Sequence, residues 1–306
     1  MDFEINDART QFTATTFSNH KKSAVKQALL LSLSQSRIET SCHWVAEMVC
    51  SGYFTEIWDV VLLFFAKHIH LGNPKLPLYL ELRFNHFRRE ATEELVELRL
   101  RNNLVVRRLF AEIIAVLCTS QKHRSYELVV VKADDLGITN LHEKLRAPNM
   151  QYLTILQDKD PKELYVPLNE LAYALDSKNS VDACYWLEWL LLFEEVCAKK
   201  KTPCTIQARE YTHRYQQDLI WLFWDVVLSK TPHLKLATAT LNLFKIQYSP
   251  SAKRRRRFLL YYAVALCCDP IDLAVDILGN KTVVESVTDK CNVIYKEIKK
   301  NEKTIV

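Results

Sequence analysis

Few residues in this chain are of a type and spacing that could do chemistry. The first are His68-Ile69-His70, with Cys42-His43 upstream, since imidazole and thiolate are the usual zinc ligands. Side chains two positions apart on a helix point to different faces, and no second Cys or His pair stands at zinc spacing. The plainer reading is a pair of helix-end histidines beside the Gly72 turn. Cys267-Cys268 is adjacent rather than CxxC and lies in an apolar run, which gives no redox pair. Cys42 and His43 point about 100° apart on a helix, so they do not form a nucleophile and its base. No GxSxG elbow is present. The carboxylate pairs Glu93-Glu94, Asp134-Asp135 and Glu194-Glu195 read as solvated faces and a turn. No catalytic residue, metal or cofactor is expected.

The basic clusters carry more weight. Lys253-Arg254-Arg255-Arg256-Arg257 follows Ser249-Pro250-Ser251 and opens an apolar helix, where consecutive cations oppose the helix dipole. Phosphate, an acidic partner or solvent would have to absorb that charge. The run reads as a nucleic-acid contact, a nuclear localisation signal, a dock for an acidic protein or membrane headgroup, or a solvated corner. A second set, Arg83, His86, Arg88 and Arg89 with Phe84 and Phe87, could join it in space. A net charge of +5 over 306 residues argues against a dedicated nucleic-acid packer.

The elements that must position these residues are predicted to be helices. The chain has four glycines, against roughly twenty at average usage. It therefore nearly lacks the residue that builds hairpin turns and phosphate loops. With no GxGxxG and no GxxxxGK[ST], a Rossmann domain or P-loop ATPase is excluded. The fold class is all-α: a multi-helix, collar-like bundle built from two related tryptophan-containing hairpins. Cys42-His43-Trp44 is followed by Trp58-Asp59-Val60-Val61-Leu62, and Cys184-Tyr185-Trp186 by Trp224-Asp225-Val226-Val227-Leu228. All six tryptophans, Trp44, Trp58, Trp186, Trp189, Trp221 and Trp224, lie in or beside these copies and form the expected core. Trp44 and Trp58 are fourteen residues apart and Trp186 and Trp224 thirty-eight, so the second copy carries an insertion around Lys199 to Tyr211.

Residues 1–22 are expected to be a flexible arm, 23–118 the first helical repeat and 119–180 a connecting segment. Residues 181–306 are the second repeat, continuous with 23–118. Val25, Ala28, Leu29 and Leu33 form one stripe; Ile38, Cys42, Val45 and Val49 form the next, closed by Gly52. Phe54 to Ile69 is apolar all round and should be a central helix. Arg88 to Cys118 has neither glycine nor proline, with acids before bases, which predicts one long amphipathic helix with Glu97 paired to Arg101. Tyr126 to Val131 reads as a short strand or a helix end. Lys199 to Pro203 is a break, and Ala208 to Leu228 the second central helix. Leu234 to Ile246, Arg254 to Cys268, Ile271 to Leu278 and a lysine-rich final helix complete the chain. The longest apolar run, Val60 to Ala66, is too short to span a bilayer, and no secretory leader is read before it, so the nine cysteines are expected to be buried reduced thiols.

The stretch from Lys26-Gln27-Ala28-Leu29 through Arg37 to Glu47, and then Lys67-His68-Ile69-His70-Leu71-Gly72-Asn73-Pro74-Lys75-Leu76-Pro77, resembles a conserved protein family of nucleocytoplasmic large DNA viruses, the chlorella-virus and mimivirus group. The resemblance is densest over residues 24–90. Cys42 to Glu47 and Ile69 to Pro74 are also similar to the C-terminal helical collar of clamp-loader-related AAA+ proteins, whose ATPase module this chain lacks. The resemblance implies a viral protein with no enzyme activity to carry over. The expected role is a scaffold or virion component that binds other viral proteins, or copies of itself, in the host cytoplasm or the particle. The alternative is a nucleic-acid-associated accessory factor, in the cytoplasm or nucleus, using Lys253 to Arg257 with Arg83, Arg88 and Arg89. No membrane insertion is expected.

Overall fold

Helices pair their own backbone groups locally, and nearly every apolar run here has the length and periodicity of one. A computed structural model of the chain describes residues 3–91, 97–202 and 204–303. Among them the chain is all-α, and its only β-type pairing is an isolated bridge between Thr15 and Lys21. No described helix is long and apolar enough to cross a membrane.

The chain divides into two compact units, Met1–Arg124 with Leu273–Val306, and Ser125–Asp272. The first begins with α1 (Lys22–Ser34), α2 (Ile38–Cys50), α3 (Phe54–Phe64), α4 (Leu76–Glu90) and α5 (Leu104–Thr119). α1 buries Val25, Leu29 and Leu33, and α2 buries Cys42, Val45 and Val49, as the stripes predict. Gly52 ends α2 at φ 72°, the left-handed turn that glycine adopts without strain. α3 is buried on almost every side and runs into a π-turn over Phe65–Ile69.

The second unit holds the short α6 (Ile138–Lys144), then α7 (Tyr165–Asp176), α8 (Ser180–Lys199), α9 (Ile220–Lys230), α10 (Leu234–Phe244), α11 (Ala252–Arg255) and α12 (Arg257–Cys268). Its packing repeats that of the first. α1 packs on α2, α3 and α5, α2 on α3 and α5, and α4 on α5; replacing α1–α5 by α7, α8, α9, α10 and α12 reproduces every one of these packings. Trp44 and Trp58 sit on α2 and α3, and Trp186 and Trp224 on the corresponding α8 and α9. The correspondence suggested by short sequence blocks thus extends to the packing of five helices.

Several expectations are corrected. The second repeat does not run to the C-terminus: α13 (Lys281–Asp289) packs on α5 and α14 (Cys291–Lys299) on α2 and α5 of the first unit. The apolar faces of this pair, with Val284, Cys291, Tyr295 and Ile298 buried, are what hold them there. Residues 125–180, expected to be a connection, belong to the second unit. The arm is packed, not loose. Ile5 and Phe17 are buried, and the buried Glu47 carboxylate accepts from Ser18 N and Oγ at 2.6 and 2.8 Å.

The long helix over Arg88 to Cys118 is broken. α4 stops at Glu90, Glu97–Asn102 is a 3-10 segment, and Asn103 starts α5 by accepting from Val105 N and Val106 N. An N-cap side chain that satisfies two free amides competes with continuation of a helix, and no glycine or proline is needed. Glu93 and Glu94 lie outside the described residues, as does Pro203. Only Ile220–Lys230 of the second central helix forms, residues 271–278 are irregular, and residues 126–131 form neither helix nor strand.

Candidate functional site

The basic run is not one surface. Arg256, at φ −100°, separates α11 from α12, so the five cations leave the backbone in different directions. Lys253 is buried, with its ammonium paired to Glu194 and, at 3.2 Å, to Asp218. Asp218 also accepts from Tyr248 Oη at 2.7 Å. Arg256 is buried, its Nη1 donating to the carbonyls of Phe244, at 2.7 Å, and Ile246, at the end of α10. Arg257 Nε lies 3.0 Å from the Glu188 carboxylate, which also accepts from Tyr261 Oη at 3.0 Å. Burial raises the Glu188 carboxyl above its ordinary pKa, and Arg257 opposes that rise. Arg254 pairs with Glu195 but remains largely exposed, and Arg255 is exposed.

Glu194 and Glu195 are therefore not a solvated pair, as the sequence suggested. With Glu188 they are the α8 carboxylates that meet the basic run. The signal was available: three acids within two turns of an otherwise apolar helix need cations, and the basic run is the densest supply.

The second basic set lies in the first unit. Arg83 Nη2 is 3.0 Å from Glu112, its Nη1 is 3.1 Å from His86 Nδ1, and its guanidinium lies over Tyr79. Arg88 and Arg89 are exposed at the end of α4. Phe87 packs inward against Trp58 and Phe110. Trp58, Trp186, Trp189, Trp221 and Trp224 are core residues. Trp44 is only half-buried, on the side of α2 where its ring meets His20 and His43 edge-on.

His70 ends the π-turn, fully buried at φ 46° and ψ −127°, a conformation a non-glycine residue adopts only under constraint. Its ring stacks on His123 at 5.8 Å, and burial, with His123 beside it, lowers its pKa to about 3. The adjoining turn is tight: a Cβ on Gly72 would lie 2.3 Å from Gln121 O. Among the described residues no group of three His, Cys, Asp or Glu is placed to hold a metal, and none of the nine cysteines is bridged. Burial pushes the Cys267 and Cys268 thiols up to about 12, so neither is a ready thiolate.

The site that sequence reasoning missed is built by the insertion in the second copy. Between α8 and α9 the chain folds back over α9, and Arg209 is buried beneath it. Arg209 Nη1 and Nη2 contact Asp160 at 3.2 and 2.7 Å, and its Nε donates to Asp225 at 2.6 Å. Tyr211 Oη donates to the other Asp225 oxygen at 2.9 Å. These bonds hold the Asp160 carboxyl below its ordinary pKa against its burial, whereas burial of Asp225 raises its pKa despite Arg209. Above this cluster lies an open cleft of about 670 Å³, with Ile155 and Leu228 among its walls and Gln157, Glu210, Tyr211 and Asp225 supplying polar groups. Asp225 belongs to the Trp-Asp-Val-Val-Leu block, so the clue was an acid held by both copies beside a segment held by one. Compared with protein-family models, curated proteins and solved structures, the chain gives no match.

Proposed function

We propose that this chain is a non-catalytic helical interaction protein of a large DNA virus, working in virion assembly through other viral proteins and copies of itself. The viral reading rests on the resemblance carried by residues 24–90. One observation favours the assembly role over a nucleic-acid role: Lys253, Arg256 and Arg257 are bonded to Glu194, Asp218, Glu188 and backbone carbonyls of their own unit. Cations held this way stabilise helix packing and have little left for phosphate. The remaining surface belongs to a paired helical framework suited to holding partners. The work is done in the viral factory of the host cytoplasm or in the particle.

The exposed Arg88, Arg89, Arg254 and Arg255 favour a second reading, contact with nucleic acid as an accessory factor in viral replication or transcription. Affinity purification from infected cells, with and without nuclease, separates the two. Viral proteins retained at constant stoichiometry after nuclease, together with presence in purified particles, are the expected result. Loss of all partners on nuclease treatment would replace the assembly role with the second reading. In that case Arg88→Ala with Arg89→Ala would weaken DNA binding and reduce its salt dependence.

A further inference from the structure

The cleft over Asp225 has the size of a small-ligand site, and its charge is set by what lies in its wall. Among the described residues the one cation lining it, Arg209, directs Nε to Asp225, Nη2 to Asp160, and Nη1 to Asp160 and, at 2.9 Å, to Gln207 O. Its guanidinium is therefore already engaged and is poorly placed to receive an anion. Two aspartates share this one cation, and Glu210 adds a third carboxylate at the exposed rim. Lys245 donates to Tyr211 O at 3.1 Å but does not line the cleft. Each Asp225 oxygen accepts a protein hydrogen bond, from Tyr211 or Arg209, and a carboxylate oxygen can accept a second. Ile155 and Leu228 offer apolar wall for a hydrocarbon stem.

We propose that this cleft binds an organic cation, an alkylammonium or alkylguanidinium, with its head against Asp225 and Glu210 and its stem against Ile155 and Leu228. The site belongs to the second copy, because Gln207 to Tyr211 come from the insertion that the first copy lacks. It stands independently of the assembly reading, since a small-ligand site can serve either role.

The test is calorimetric titration of the full chain with n-butylammonium and n-butylguanidinium, against n-butanol and butyrate of the same stem. Binding of both cations, with neither control bound, is expected. Equal binding of butanol, preferred binding of butyrate, or no cation binding at tens of millimolar would each overturn the proposal. Glu210→Gln alters an exposed rim residue and should weaken cation binding several-fold with the melting temperature unchanged; an unchanged affinity would count against the proposed head-group position. Asp225→Asn should abolish binding, with circular dichroism checking that the unit remains folded. Comparing 1,4-diaminobutane with N-acetyl-lysine-methylamide then distinguishes a free polyamine from a peptide side chain as the source of the cation.

Discussion

The α2–α3 and α8–α9 hairpins are two solutions to the same packing problem. In the first, Gly52 turns the chain at once and Trp58 is buried among Phe84, Phe87 and Phe110. In the second, Trp221 and Trp224 pack on Phe244, while the longer connection carries Arg209 back to Asp225. The first hairpin is held by apolar burial and a glycine turn. The second adds a charged clasp whose desolvated groups stabilise it only while all are present. The longer connection of the second copy thus lines a cleft, above a hairpin whose first helix, α8, has 20 residues where α2 has 13.

The comparison can be broken at several points. The largest effect is expected from Trp224→Ala and Trp58→Ala, each costing about 3–5 kcal/mol through the cavity left behind. Hydrogen exchange should show lost protection mainly in the unit that carries the change; equal loss in both units from either variant would undo the view of two separately packed copies. Next is Arg209→Met, expected to cost about 3 kcal/mol or more by leaving Asp160 and Asp225 buried without their cation. Adding Asp160→Asn and Asp225→Asn to that chain should recover part of the loss, and denaturant unfolding that showed no recovery would mean the clasp is not electrostatic.

A smaller effect concerns His70, which is buried between α3 and α4, whereas His233 in the α9–α10 connection is only half-buried. The folded pKa of His70, about 3, lies below the ordinary 6.5, so its neutral form contributes fully above about pH 6.5 and that stability is lost as pH falls toward 3. The loss should reach about 2 kcal/mol by pH 5, and His70→Gln should flatten the slope of stability between pH 6.5 and 5. The smallest change is expected from Arg254→Ala, within about 0.5 kcal/mol, because its pair with Glu195 is exposed. Arg256→Met, two residues away, should cost more by orphaning the carbonyls at the end of α10. Equal costs would mean that the basic run behaves as a single surface after all.

Much of the helical framework was legible because it depends on local pattern. The stripes of α1 and α2, the stop at Gly52 and the tryptophan blocks depend on spacing within one helix. The break at Asn103 was not legible from a run free of glycine and proline, because one side chain capping two amides is enough to start a new helix. The same limit applied to the arm: its anchor, Glu47, is a buried acid on another element, and nothing in residues 3–20 announces it. Lys253 to Arg257 stand out in the sequence as a charge problem, but the acids that answer it lie between about 35 and 70 residues earlier in the chain.

The amino-acid order alone determines that this chain is helical, that it holds two tryptophan-centred copies, and that the second copy is longer between its tryptophans. Hydrogen bonding in a helix and burial of one face are local, so composition and period suffice for them. Tertiary structure decided the rest. α13 and α14 pack with the first copy, the basic run is bonded from within, and the insertion turns Arg209 onto Asp225 and Asp160. Those outcomes depend on which buried charge finds which partner across long chain separations, and burial makes such pairings decisive without leaving any periodic trace.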